Sequence, residues 1–147
     1  GLGSIKFHDY SLAYDSIELP NLSVFKSQIA LFKELTMTAP PSKAQSKDID
    51  FMLTVGEMFT LVVYGQLIIE NAKIYGIEPE LLDQIFDFMV RDFSKCALQL
   101  YSKPSSTEAQ MAQCLKMLKK PVTDEVRYGK VWQNKVLAMK DQYAMPK

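Results

Sequence analysis

From Asn21 onward, apolar residues recur along this chain at intervals of three and four, the period of a helix with one buried face. Four polar interruptions divide that recurrence into five segments. In the first, Leu22, Phe25, Ile29, Phe32 and Leu35 mark an amphipathic helix running to about Met37. The stretch TAPPSKAQSK (38–47) then predicts a polar loop, because Pro40-Pro41 suits neither a helix interior nor a central strand. Asp48 or Asp50 is placed to cap the second helix, which continues to about Tyr75, and Gly76 supplies a left-handed stop. Residues 1–20 show no helical period. Ile5, Phe7 and Tyr10, with Pro20 closing the stretch, predict an irregular, extended arm or a short strand.

The later segments are punctuated more sharply. Glu78-Pro79-Glu80 opens a third helix, with proline in the first turn and acids facing the positive end of the dipole. Its stripe is Leu82, Ile85, Phe86, Met89, Phe93, Cys96 and Leu100, and Lys103-Pro104 ends it. Ser105 followed by Glu108 has capping-box spacing for a fourth helix carrying Met111, Cys114, Leu115 and Leu118 on one face. Pro121 stops it, after Lys116, Lys119 and Lys120 in the last turn. Thr123 or Asp124 caps a fifth, running through Val131, Trp132, Leu137 and Met139. The expected architecture is an all-α bundle of four to five mostly antiparallel helices over residues 21–147, preceded by the arm over residues 1–20.

The middle of the second helix is ambiguous by pattern. FMLTVGEMFTLVVYGQLII (51–69) is apolar at 13 of 19 positions, which suits a membrane span or a helix buried on all sides. Glu57 and Gln66 interrupt the run, glycines and threonines dilute it, and the flanking helices are amphipathic as in soluble bundles. The reading adopted is a buried central helix.

Composition is that of an ordinary globular domain: 147 residues, 48% apolar, 23% charged and no net charge. The zero net charge gives no push towards nucleic acid. Its distribution matters more. Residues 1–102 carry 8 basic and 13 acidic side chains, and residues 103–147 carry 9 and 4. The expectation is that two parts of one fold attract each other, with an acidic partner or membrane surface as the rival for the basic helices. Cys96 and Cys114, both within helical apolar patterns, are expected to be buried free thiols in a reducing compartment. No targeting segment is visible. The first residue is Gly1, and the chain is expected to be a trimmed piece of a longer protein, with Gly1, Gly3 and Ser4 resembling a cloning remnant.

Reactive chemistry is hard to assemble from these residues. His8 is the single histidine and lies in the arm, away from any rigid partner that would make it a base. No helical segment offers the Glu-x-x-His set of a di-iron bundle, two cysteines alone cannot close a zinc site, and no phosphate-binding glycine loop is present. Glu57 in its apolar helix is a candidate general base if desolvated, but a group reaching solvent or a packing partner is the simpler account. Glu70 and Asn71 read as a polar cluster. Tyr128, Trp132 and Tyr143 form a candidate stacking platform for a base or flavin ring, though helical spacing favours core or interface. No catalytic, cofactor-binding or metal residue is assigned.

A resemblance extends this reading. QLIIENAKIYG (66–76), LLDQIFDFMVRDFSKCALQLYSKPSST (81–107), CLKMLKKPVTDEVRY (114–128) and VWQNKVLAMKDQYAMPK (131–147) keep their order and punctuation. From about Gly65 to Lys147 the chain resembles the C-terminal helical extension of large bacterial acyl-CoA dehydrogenases. Those flavoproteins use a glutamate base, usually in a Tyr-Glu-Gly-Thr context, and pass a hydride to FAD in fatty acid β-oxidation. That motif is missing here: Tyr75 and Tyr128 are followed by glycine, and Glu57 follows Gly56. The resemblance therefore implies a non-catalytic C-terminal domain of an FAD-dependent oxidoreductase. FAD belongs to the parent enzyme and no cofactor to this piece. Implied partners are the parent's catalytic core and further copies in a homo-oligomer, with membrane contact as a lesser expectation, in the bacterial cytoplasm. The alternatives are a free-standing lipid- or peptide-binding module and a secreted four-helix signalling protein, which would hold its cysteines oxidised.

Overall fold

A computed structural model describes residues 9–143, and every regular element among them is helical. His8 and the rest of residues 1–8, with residues 144–147, lie outside the described residues. The elements are α1 (Tyr10–Tyr14), α2 (Pro20–Thr38), α3 (Ile49–Tyr75), α4 (Pro79–Tyr101), α5 (Glu108–Met117) and α6 (Glu125–Val131). A 3-10 turn at Gln45–Lys47 precedes α3. After α6 the chain continues as a π-helical turn, Trp132–Val136, and a 3-10 stretch, Leu137–Tyr143. The all-α bundle read from the sequence is what forms.

Most boundaries follow from local chemistry. Pro20 and Pro79 start α2 and α4, where a missing N–H costs nothing. Asp48 caps α3 by accepting the Phe51 N–H, and Asp124 caps α6 by accepting from Val126 and Arg127. Gly76 closes α3 at φ 62°, a left-handed conformation that a Cβ would strain. The start of α5 differs from expectation. Its capping box is Thr107 with Gln110, not Ser105 with Glu108. Ser106 is drawn back instead, donating its hydroxyl to the Leu100 carbonyl and tightening the turn after α4.

Two larger departures bear on function. The arm is not wholly irregular: Asp9 accepts from the Ser11 backbone and hydroxyl, and α1 follows, burying Ala13 and Tyr14 against α3. The Tyr14 hydroxyl donates to the Val62 carbonyl at 2.6 Å. Nor is α3 the central helix. That place belongs to α4, which packs on α2, α3, α5 and α6 and buries Phe86, Val90, Phe93 and Ala97 completely. Phe25 of α2 meets Phe86 and Phe93 with ring centroids 5.6 Å apart in each case. α3 lies to one side, against α4 and α1, and touches α2 mainly where Phe32 meets Phe59 edge-on at 4.8 Å. In its most apolar 18-residue window only 39% of the residues are buried.

Buried amides tie the elements where apolar contact alone would leave register open. Gln28 of α2 donates to the carbonyls of Val90 in α4 and Met117 in α5 and to the Ser94 hydroxyl. Gln45 and Gln110 donate to each other's side-chain oxygens at 2.8 and 3.0 Å. Gln45 reaches the Ser105 carbonyl as well, and Gln110 the Ala39 carbonyl, so the loop before α3 is pinned to the start of α5.

Candidate interaction surface

α3 carries apolar residues on both of its faces. The inner stripe, Phe51, Val55, Met58, Val62, Ile69 and Ala72, is buried. The outer side carries Leu53, Val63, Tyr64, Leu67 and Ile74, each more than half exposed, with Gly56 and Thr60 between the first two. In a helix of 27 residues, about 40 Å long, this is a long apolar strip for a soluble surface. By length and composition α3 also passes as a membrane-crossing helix, but its inner face is engaged by α4 and α1.

Beside the strip, α2 and α3 diverge and leave an open groove of about 520 Å³. Ile29 and Phe32 form one wall, Phe59, Val62 and Leu67 the other, and Tyr10 of α1 lies along it. Its polar groups are few: Lys33, Thr36 and Gln66. Gln66 is turned towards Glu70, to which it donates at 3.1 Å.

Glu57, the acid singled out in the apolar run, points into neither feature. It is exposed and accepts a weak hydrogen bond from the Cys96 thiol at 3.5 Å. Cys96 and Cys114 are both free and buried. Burial pushes each thiol up to about 11, with the Glu57 carboxylate adding to the effect at Cys96. A thiol so disfavoured as thiolate is a poor nucleophile. Among the described residues, no three of His, Cys, Asp and Glu converge as a metal site would require. Tyr128 and Trp132 stack on one another at the surface, with centroids 6.4 Å apart and planes 17° from parallel.

The charge asymmetry of the sequence resolves into a second surface, one already covered. α4 begins with an acidic row, Glu78, Glu80, Asp83 and Asp87. The C-terminal segment lays Lys135, Lys130 and Arg127 against it. Arg127 is buried and sits 2.5 Å from Asp83 and 3.4 Å from Asp87, whose other oxygen lies 2.8 Å from Arg91. At the rim, the hydrogen bond from Lys135 holds Glu78 below its ordinary value. Glu80 is lowered by its own backbone N–H and by Lys130. Asn21 closes the inner end: its side chain accepts from the Val122 N–H at 2.7 Å and donates to the Val122 carbonyl at 3.1 Å, while its backbone N–H donates to Asp83. Arg127, Lys130 and Lys135 thus meet the fold's own acids, whereas Lys116, Lys119 and Lys120 of the fourth predicted helix take no part in this row.

Sequence reading found the charge imbalance but placed its basic cluster on Lys116, Lys119 and Lys120 rather than on Arg127, Lys130 and Lys135. It expected an apolar patch on the second helix without locating the residues of the outer strip. The strip and the inner stripe together make the helix uniformly apolar, and a uniform run has no face to read. The comparisons add no relative: no family model, curated protein or solved structure matches the chain.

Proposed function

We propose that this chain is a non-catalytic helical docking domain, and that the body it docks on is the catalytic core of an FAD-dependent acyl-CoA dehydrogenase. The observation that carries the docking role is the outer strip of α3. Five large apolar side chains stand exposed along one line of a helix whose opposite face is already packed. Covering such a strip returns the area-proportional gain that drives association, and aromatic residues such as Tyr64 and Phe59 suit the centre of an interface. The resemblance of residues 65–147 to the C-terminal extension of those enzymes supplies the identity of the partner. In this reading FAD and the reacting glutamate belong to the core, and this chain contributes support for docking and for assembly of the homo-oligomer.

The test is association of the purified chain with the separately produced catalytic core, followed by sedimentation. A complex is expected, weakened at least tenfold by Leu67→Asp, a change at an exposed position that leaves the bundle intact. Absence of a complex overturns the reading, as does a flavin absorption band or acyl-CoA turnover in the chain alone.

The groove between α2 and α3 favours a second reading, a free-standing module for a lipid or an apolar peptide. Its size falls within the range of small-molecule sites, and its lining is apolar with one cation, Lys33, at hand. Saturable binding of a fluorescent fatty acid, lost in Val62→Trp, would support this reading over docking.

A further inference from the structure

Among the described residues beyond Met117, no apolar side chain belongs to the core cluster of the bundle. The segment from Leu118 to the end of the described chain is tied down by a series of polar contacts. The inner anchor is Ser94, which accepts from the Lys119 N–H and donates to the Lys119 carbonyl. Next come Asn21 on Val122, Arg127 between Asp83 and Asp87, Lys130 on Glu80 and Lys135 on Glu78. Meanwhile the large apolar side chains of this segment, Val126, Tyr128, Trp132 and Val136, are exposed. In α6 the one buried side chain is therefore a charged one, Arg127, while Val126 and Tyr128 stand in solvent.

Independently of the docking reading, we infer that residues 118–143 form a charge-latched strap, which releases as one unit from a body that stays folded and so uncovers the acidic row of α4. The asymmetry between the two parts is the reason. The body, α1 to α5, encloses the aromatic core and the buried amide ties, so its opening exposes a large apolar area. Release of the strap takes no residue out of that core, and the charged groups it frees are ones that water and salt solvate well. The rim pairs Lys130–Glu80 and Lys135–Glu78 are screened by salt, the buried Arg127 cluster much less, and the apolar core of the body is not weakened by it. Ionic strength, or a competing polycation or polyanion, is thus the natural control of this latch.

The full chain contains its own reporter, because Trp132 is the single tryptophan and lies on the strap. Urea unfolding is followed by Trp132 fluorescence anisotropy and, in parallel, by far-ultraviolet circular dichroism, which is dominated by the body. Two separate transitions are expected, with Trp132 released first. Raising NaCl from about 0.1 M to about 1 M, where the screening length falls from about 10 Å to about 3 Å, should increase strap release roughly tenfold and leave the body transition in place. Lys135→Glu should loosen the strap roughly threefold, and adding Glu78→Lys should restore it; both positions are at the rim, so neither change threatens folding. Coincident transitions at both salt concentrations overturn the inference. So does loosening by Lys135→Glu that Glu78→Lys fails to restore, because the attachment would then not be one of charge.

Discussion

The Tyr14 hydroxyl lies where a side chain at Gly65 would begin. A Cβ built on Gly65 would fall on that oxygen and 3.2 Å from the Phe25 ring, so only glycine lets α1 close on α3. Gly65→Ala should destabilise the protein by about 2 kcal/mol despite the better helix propensity of alanine. Tyr14→Phe should cost about 1 kcal/mol through loss of the hydrogen bond to Val62. In the Tyr14→Phe background the alanine should cost much less, since the worst clash is gone and only the 3.2 Å approaches to two ring carbons remain. A double-mutant cycle by urea denaturation measures this, and additivity of the two losses would contradict it.

Arg127 gives a different kind of prediction. Removing one partner from a buried ion pair commonly costs about 3–5 kcal/mol, because the remaining charge stays buried. Here Asp83 and Asp87 can regain water if the strap lifts. Arg127→Met should therefore lower the body's stability by only about 1 kcal/mol while abolishing the early Trp132 transition.

The reciprocal pair Gln45 and Gln110 should behave as one unit. Gln110→Ala should cost about 2 kcal/mol, because it breaks the reciprocal bonds with Gln45, leaving that amide only Ser105 and Ser42, and removes half of the capping box on α5. Gln45→Ala in addition should cost little more. Chemical denaturation of the two single variants and the double variant decides the matter.

The buried thiols set an alkaline limit. Both protonate more readily in the fold than in the unfolded chain, with the native value raised from 9.0 to about 11. Between these pH values the unfolded state has released protons that the native state retains. The stabilisation is therefore complete below about pH 9 and falls as pH rises through 11. Cys114→Ala should flatten that decline in a series of urea midpoints from pH 8 to pH 11, measured against the unmodified chain. An unchanged slope would contradict it.

What the sequence disclosed depended on whether the signal was local. Pro79, Gly76, Asp48 and Asp124 act within one turn, and each stands where its chemistry placed it. The stripe of α4 was legible because Phe86, Met89, Phe93 and Leu100 alternate with charges. α1 was not legible: five residues are too few to show a period, and its stability comes from Tyr14 reaching Val62, 48 positions away. The exchange of central roles between α3 and α4 was hidden for a related reason. Hydrophobicity ranks α3 as the more buried helix, but which helix is surrounded depends on how many neighbours find it, and α4 offers apolar residues towards α2, α3 and α5 while giving α6 its acids. The strap was half legible. Its charge was plain from counting, whereas the outward turn of Trp132 and Tyr128 followed from Arg127 taking the inner position.

The place of α4 among its neighbours has one more consequence. α2 and α3 meet at few points, Phe32 on Phe59 and the Phe25 ring beside Gly65, and each packs extensively on α4. A break in the backbone at the turn of Gly76 and Ile77 would divide the molecule into one piece with faces and no centre and another with a centre and no faces. Such halves should be unstructured apart and reconstitute on mixing, which makes this small bundle a natural scaffold for fragment complementation.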